Sequence, residues 1–126
     1  MKRIAVVEDN ADNRLLLEAM LAGEYQLDEY ASGPEALDGI SRLKPHMVLL
    51  DISLPGMDGI EVFSRLRSAP ETASLPVIAL TAHAMGGDRE LFLAMGFNGY
   101  VSKPIVDPDE LTALIERHTR PLSLVA

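Results

Sequence analysis

The chain has 126 residues and a formal charge of −8, with 48% apolar and 24% charged residues. That is one domain's worth of core and an ordinary globular composition, so a single domain spanning 1–126 is expected. There is no cysteine, which excludes disulfides and thiolate metal sites, and the acidic charge opposes direct binding to nucleic acid.

Met1-Lys2-Arg3 leads into Ile4-Ala5-Val6-Val7, a run too short for a signal peptide or a membrane span. A cytoplasmic protein, not bound to a membrane, is expected. The run reads as a strand buried on both faces and ends in Glu8-Asp9. Asn10 to Ala22 is a Leu-rich helix stopped by Gly23, and Leu27-Asp28-Glu29-Tyr30 is polar enough for an edge strand. Ser32-Gly33-Pro34-Glu35 opens a second helix, with a capping Ser and Glu three residues on. Met47-Val48-Leu49-Leu50 is a buried strand ending in Asp51. Asp58-Gly59-Ile60-Glu61 starts a third helix, with Ile60, Phe63 and Leu66 at helical spacing. Val77-Ile78-Ala79-Leu80 is another buried strand, ending in Thr81. Asp88 to Met95 is a short helix stopped by Gly96. Gly99-Tyr100-Val101 is the weakest strand and ends in Ser102-Lys103-Pro104; Asp107-Pro108-Asp109-Glu110 opens the last helix.

Strands alternating with helices predict an α/β fold: a doubly wound, five-stranded parallel sheet with helices on both faces. The flavodoxin-like order 2-1-3-4-5 is the expected one, which makes strands one and three neighbours at the switch point. Ligands of such sheets bind beyond the carboxyl ends of the strands. Glu8, Asp9, Asp51, Thr81 and Lys103 all fall there. Three carboxylates at about 5 Å repel by roughly 3 kcal/mol per pair at an effective dielectric near 20. A hard divalent cation such as magnesium relieves this and keeps positions for water and phosphate oxygens. A carboxylate nucleophile, a metal and a lysine are the inventory for phosphoryl transfer to an aspartate. Singly, Asp51 would be a turn residue, Glu8-Asp9 a helix cap, Thr81 a strand-end hydroxyl and Lys103 a solvated charge. Their conjunction is the signal.

Four segments carry a resemblance: Val7-Glu8-Asp9-Asn10, Leu50 through Gly59 (LDISLPGMDG), Ala79-Leu80-Thr81-Ala82, and Tyr100-Val101-Ser102-Lys103-Pro104. In this order they resemble the signature blocks of response-regulator receiver domains, and the resemblance runs over essentially the whole chain. It implies that Asp51 accepts a phosphoryl group from a histidine kinase or a phosphotransfer protein. Glu8, Asp9, Asp51 and the backbone carbonyl of Ser53 would hold magnesium, with no other cofactor. Thr81 and Lys103 would contact phosphate oxygens, Lys103-Pro104 would be a cis peptide, and Thr81 and Tyr100 would form the switch. Ser53 and His83 would flank the path of attacking water. Such a domain is a two-component or phosphorelay signalling protein with self-directed phosphoryl chemistry, rather than an enzyme with an external product.

Other features stay open. Asn10, Asn13 and Arg14 fit donor docking and a solvated helix face equally. Gly86-Gly87 suits a permissive turn, Met85 and Met95 suit packing, and His118 suits a helix face. An aspartate-nucleophile phosphatase of the haloacid dehalogenase kind is the alternative. It would want an Asp two residues after the nucleophile, where this chain has Ser53, and space for a cap domain. A flavodoxin-like electron carrier would need a Ser/Thr/Gly-rich phosphate loop in place of Glu8-Asp9-Asn10-Ala11-Asp12. A receiver used only for docking would not need the intact acidic set. The tail Pro121 to Ala126 is short and Met1 initiates the chain, so a complete protein acting through protein contacts, or as a phosphorelay intermediate, is expected.

Overall fold

In the central strands every residue from Ile4 to Val7, Met47 to Asp51 and Val77 to Thr81 is buried, because helices cover both faces of the sheet. The computed structural model describes residues 1–82, 88–103 and 107–119. Over these the elements run β1 (Lys2–Val7), α1 (Ala11–Leu21), β2 (Tyr25–Tyr30), α2 (Gly33–Leu43), β3 (Met47–Asp51), α3 (Gly59–Ser68), β4 (Val77–Thr81), α4 (Asp88–Met95), β5 (Gly99–Ser102) and α5 (Pro108–Thr119). All neighbouring strand pairs are parallel, and the order is β2-β1-β3-β4-β5, as expected. The polar strand β2 is indeed at an edge.

Successive strand residues face opposite sides, which divides the core in two. Ala5, Val7, Val48, Leu50, Val77 and Ala79 pack with residues of α2, α3 and α4, among them Ile40, Val62, Phe63 and Phe92. Ile4, Val6, Met47, Leu49, Ile78 and Leu80 pack with Leu17 and Leu21 of α1 and Leu111 and Ile115 of α5. Crossovers from β1 and β3 therefore leave on opposite faces and open a crevice between the carboxyl ends of these two strands.

Helix starts follow their caps. The side chains of Asn10, Ser32 and Asp58 accept from the amides of Asn13 (3.0 Å), Glu35 (3.4 Å) and Glu61 (2.9 Å) respectively. The ends are less uniform. Gly96 closes α4 at a φ of 112°, the left-handed stop expected of it. Gly23 does not act this way: α1 ends at Leu21, its cap Ala22 stays right-handed, and Gly23 lies in the following turn. α2 closes on Lys44 at a φ of 50°, a left-handed residue that is not glycine. Met95 is 39% exposed at the end of α4, at the rim rather than in the core. No helix of the described residues is long and apolar enough to cross a membrane. His83, Met85, Gly86-Gly87, Pro104 with its peptide bond, and the tail Pro121 to Ala126 lie outside the described residues.

Candidate functional site

The register of β1 on β3 pairs Val7 with Leu50, so the residues that follow each strand emerge side by side at the crevice. Glu8, Asp9 and Asp51 each present an oxygen there, all within 4.8 Å of one another. Glu8 and Asp51 are buried, at 1% and 2% accessibility, whereas Asp9 is exposed.

Each buried carboxylate is held by two donors. Asp51 Oδ1 accepts from the Ser53 amide at 2.9 Å, and Asp51 Oδ2 lies 3.2 Å from Lys103 Nζ. Glu8 Oε1 accepts from Lys103 Nζ at 2.9 Å, and Glu8 Oε2 accepts from the Asn10 amide at 3.2 Å. One ammonium thus bridges two carboxylates. Burial raises the pKa of Glu8, and Asp51 beside it pushes the same way, against the pull of Lys103 and the Asn10 amide. Burial alone would lower the pKa of Lys103, but Glu8 and Asp51 outweigh it and hold the ammonium above its ordinary value.

The carboxylate of Asp9 has neither a hydrogen bond nor an ion pair among the described residues. Among the described residues the cluster of three carboxylates thus has one ammonium, paired with two of them, and the least satisfied carboxylate is the one open to water. Hard oxygen donors, excess negative charge and an open side fit a hard divalent cation that keeps some of its water.

Thr81 ends β4, buried at 3% accessibility. Its carbonyl accepts from the Lys103 amide at 2.7 Å, which sets where Lys103 leaves the sheet. Tyr100 lies further back on β5, opposite Ala79, half-buried, with its ring 5.7 Å from that of Phe92 at 25°. Glu8, Asp9, Asp51 and Lys103 are therefore brought together, Thr81 stands at the adjacent strand end, and Tyr100 stands apart from them.

Two supporting roles were not legible in the sequence. Gly59, the first residue of α3, packs so closely on the Asp51 carbonyl and the Ile52 Cα that a Cβ would overlap both. Arg14 of α1, which from the sequence fitted only docking or a solvated face, folds back instead. Its Nη1 donates to the carbonyls of Glu8 (2.8 Å) and Asp9 (3.1 Å). A cation in the first turns of a helix opposes the helix dipole, and that was the available sequence signal for Arg14. Grooves between α2 and α3, beside Leu37 and Thr72, and along α3 beside Ile60 and Met95 lie away from the acidic edge.

Residues 4–116 match the model of the response regulator receiver domain. The polar-differentiation response regulator DivK of Brucella ovis is 41% identical over 108 residues, 85% of this chain and 88% of DivK. Response regulator PleD of Caulobacter vibrioides is 42% identical over 106 residues; these make up 83% of this chain but 23% of PleD. Among solved structures, the receiver domain of the sensor histidine kinase PA1611 from Pseudomonas aeruginosa has a TM-score of 0.85 at 35% identity, covering 95% of this chain and 98% of that one. That structure has a magnesium ion coordinated in its active site cleft.

Proposed function

Because the chain belongs to the response regulator receiver domain family, we propose that Asp51 is the phosphoacceptor and that Glu8, Asp9, Asp51 and the Ser53 carbonyl hold the magnesium its reaction needs. The observation that carries this is the clustering of three carboxylates at the crevice between β1 and β3, two of them, Glu8 and Asp51, paired with the Lys103 ammonium. The phosphatase alternative is left without support by the family assignment.

In the proposed reaction a carboxylate oxygen of Asp51 attacks phosphorus while the bond from phosphorus to the donor's imidazole nitrogen breaks. The leaving nitrogen keeps the electron pair. Magnesium, when bound, supplies positive charge to the phosphate oxygens and offsets the carboxylate repulsion. Lys103 exchanges one of its carboxylate partners for a phosphate oxygen, and Thr81 donates its hydroxyl to another. Hydrolysis of the acyl phosphate, with water entering past Ser53, returns the domain to its starting state. The donor is a histidine kinase or a phosphotransfer protein, and the output is a change in protein contacts in the cytoplasm.

The test is transfer of label from phosphohistidine or acetyl phosphate. The parent should label only with magnesium present, and Asp51→Asn should not label because the amide has lost the nucleophilic charge. Equal labelling of parent and variant, or undiminished labelling in excess chelator, would sink the proposal.

A further inference from the structure

The three clustered carboxylates are not held alike. Glu8 and Asp51 each have two donors of their own, so their direction is fixed by bonds to the carboxylate itself. Asp9 has none among the described residues. Its direction depends on the backbone that carries it. That backbone leaves β1 through the Glu8 amide, which donates to the Tyr30 carbonyl at 3.0 Å, and enters α1 at Asn10. Between these points both carbonyls, of Glu8 and of Asp9, accept from one guanidinium nitrogen of Arg14.

The placement of Arg14 is against its local interest. A cation in the first turns of α1 is disfavoured by the dipole. The side chain is only 25% accessible, and its Nε is 4.0 Å from Glu29 Oε1 on β2, at the margin of an ion pair. What the guanidinium gains is a pair of charge-assisted hydrogen bonds from Nη1 to two consecutive carbonyls. A lysine ammonium can offer two donors from its one nitrogen, but on a flexible stem and without the planar group that fixes their directions it holds the two carbonyls less rigidly.

We propose that Arg14 is a positioning residue for the metal site: by pinning the Glu8 and Asp9 carbonyls it fixes the direction of the otherwise unheld Asp9 carboxylate, and so sets magnesium affinity. This rests on the metal reading given above. Outer groups that orient metal ligands are typically worth ~10–100-fold in affinity, and about tenfold is expected here. The guanidinium charge itself works the other way, since it repels a dication. Charge and positioning therefore predict opposite results.

The experiment is a magnesium chloride titration of the whole chain, followed by the amide resonances of Asp9 and Asn10, with urea unfolding run in parallel as a control for folding. Arg14→Lys, which keeps the charge and loses the planar guanidinium that directs both bonds, should bind about tenfold more weakly than the parent. Arg14→Met should also weaken binding. In an Asp9→Asn background Arg14→Lys should change little, because the residue it positions no longer ligates as a carboxylate. Arg14→Lys binding as well as the parent, Arg14→Met binding more tightly, or an undiminished effect in the Asp9→Asn background would each overturn the positioning role. A parent that shows no saturable response to magnesium would instead overturn the metal reading, and this inference with it.

Discussion

The Lys103 ammonium lies 2.9 Å from Glu8 and 3.2 Å from Asp51, so one cation is shared between the most deeply buried carboxylate of the site and the proposed phosphoacceptor. Lys103 thus has work in the fold before any phosphate arrives. Lys103→Met should destabilise the domain at neutral pH by about 2–3 kcal/mol, somewhat less than a fully enclosed pair because this edge is open to water. Glu8→Gln in the same chain should recover part of the loss, since Asp51, still held by the Ser53 amide, is then the one buried carboxylate of the pair left without its cation. Urea unfolding of the single and double variants checks this; a single variant as stable as the parent would show that water, not Lys103, stabilises Glu8.

Gly59 is required by close approach, because its Cα faces the carbonyl of Asp51. Gly59→Ala should cost about 2 kcal/mol through overpacking and should slow labelling of Asp51 by displacing the end of β3. Gly23→Ala is the control: a Cβ there meets nothing within 4 Å. It should leave both stability and labelling near parent values. Similar behaviour of the two variants would remove the argument.

Thr81 and Tyr100 are predicted to connect the phosphoryl group to partner binding. Thr81 is buried at the end of β4, and the Tyr100 ring is already half-buried against Phe92, so its rotation would have to break that stack. Moving a domain from almost wholly inactive to almost wholly active takes about 5.5 kcal/mol. One neutral hydrogen bond supplies only about 1 kcal/mol, so the Lys103 pair and loop repacking must supply the rest. Thr81→Ala and Tyr100→Ala should each keep substantial phosphorylation on Asp51 while losing most of the phosphorylation-dependent gain in partner affinity. An unchanged affinity ratio in both variants would exclude this route.

His118 gives a pH signature. Burial, with the neighbouring Arg117, holds its imidazole below the ordinary value of 6.5. The native state therefore favours the neutral ring, and the unfolded chain takes up the proton first. The contribution to stability is complete above about pH 6.5 and is lost as the pH falls below that value toward the native pKa. His118→Gln should flatten this part of the stability profile. Unfolding free energies of parent and variant, measured on either side of that value, decide it: equal pH dependence in both would assign the effect to other groups.

The sheet, and which polar residues stand at its edge, were legible in the sequence alone. Continuous apolar runs in three central strands need cover on both faces, the more polar β2 suits an edge, and parallel alternation sends every strand end to the same side. Glu8, Asp9, Asp51, Thr81 and Lys103 were legible because each directly follows or ends such a run, where position along the strand is enough to place it. The ends of α1 and α2 were less legible: a glycine stop was expected at Gly23, and the left-handed Lys44 carries no residue-type signal. Three features came from the folded chain and not from the sequence: Lys103 reaches Glu8 as well as Asp51, Arg14 turns back onto two carbonyls, and Gly59 has no room for a side chain. These depend on the direction of a side chain or on the gap between backbones distant in sequence. Lys103 and Glu8 are 95 residues apart, and no local periodicity records a distance that exists only once the sheet has closed.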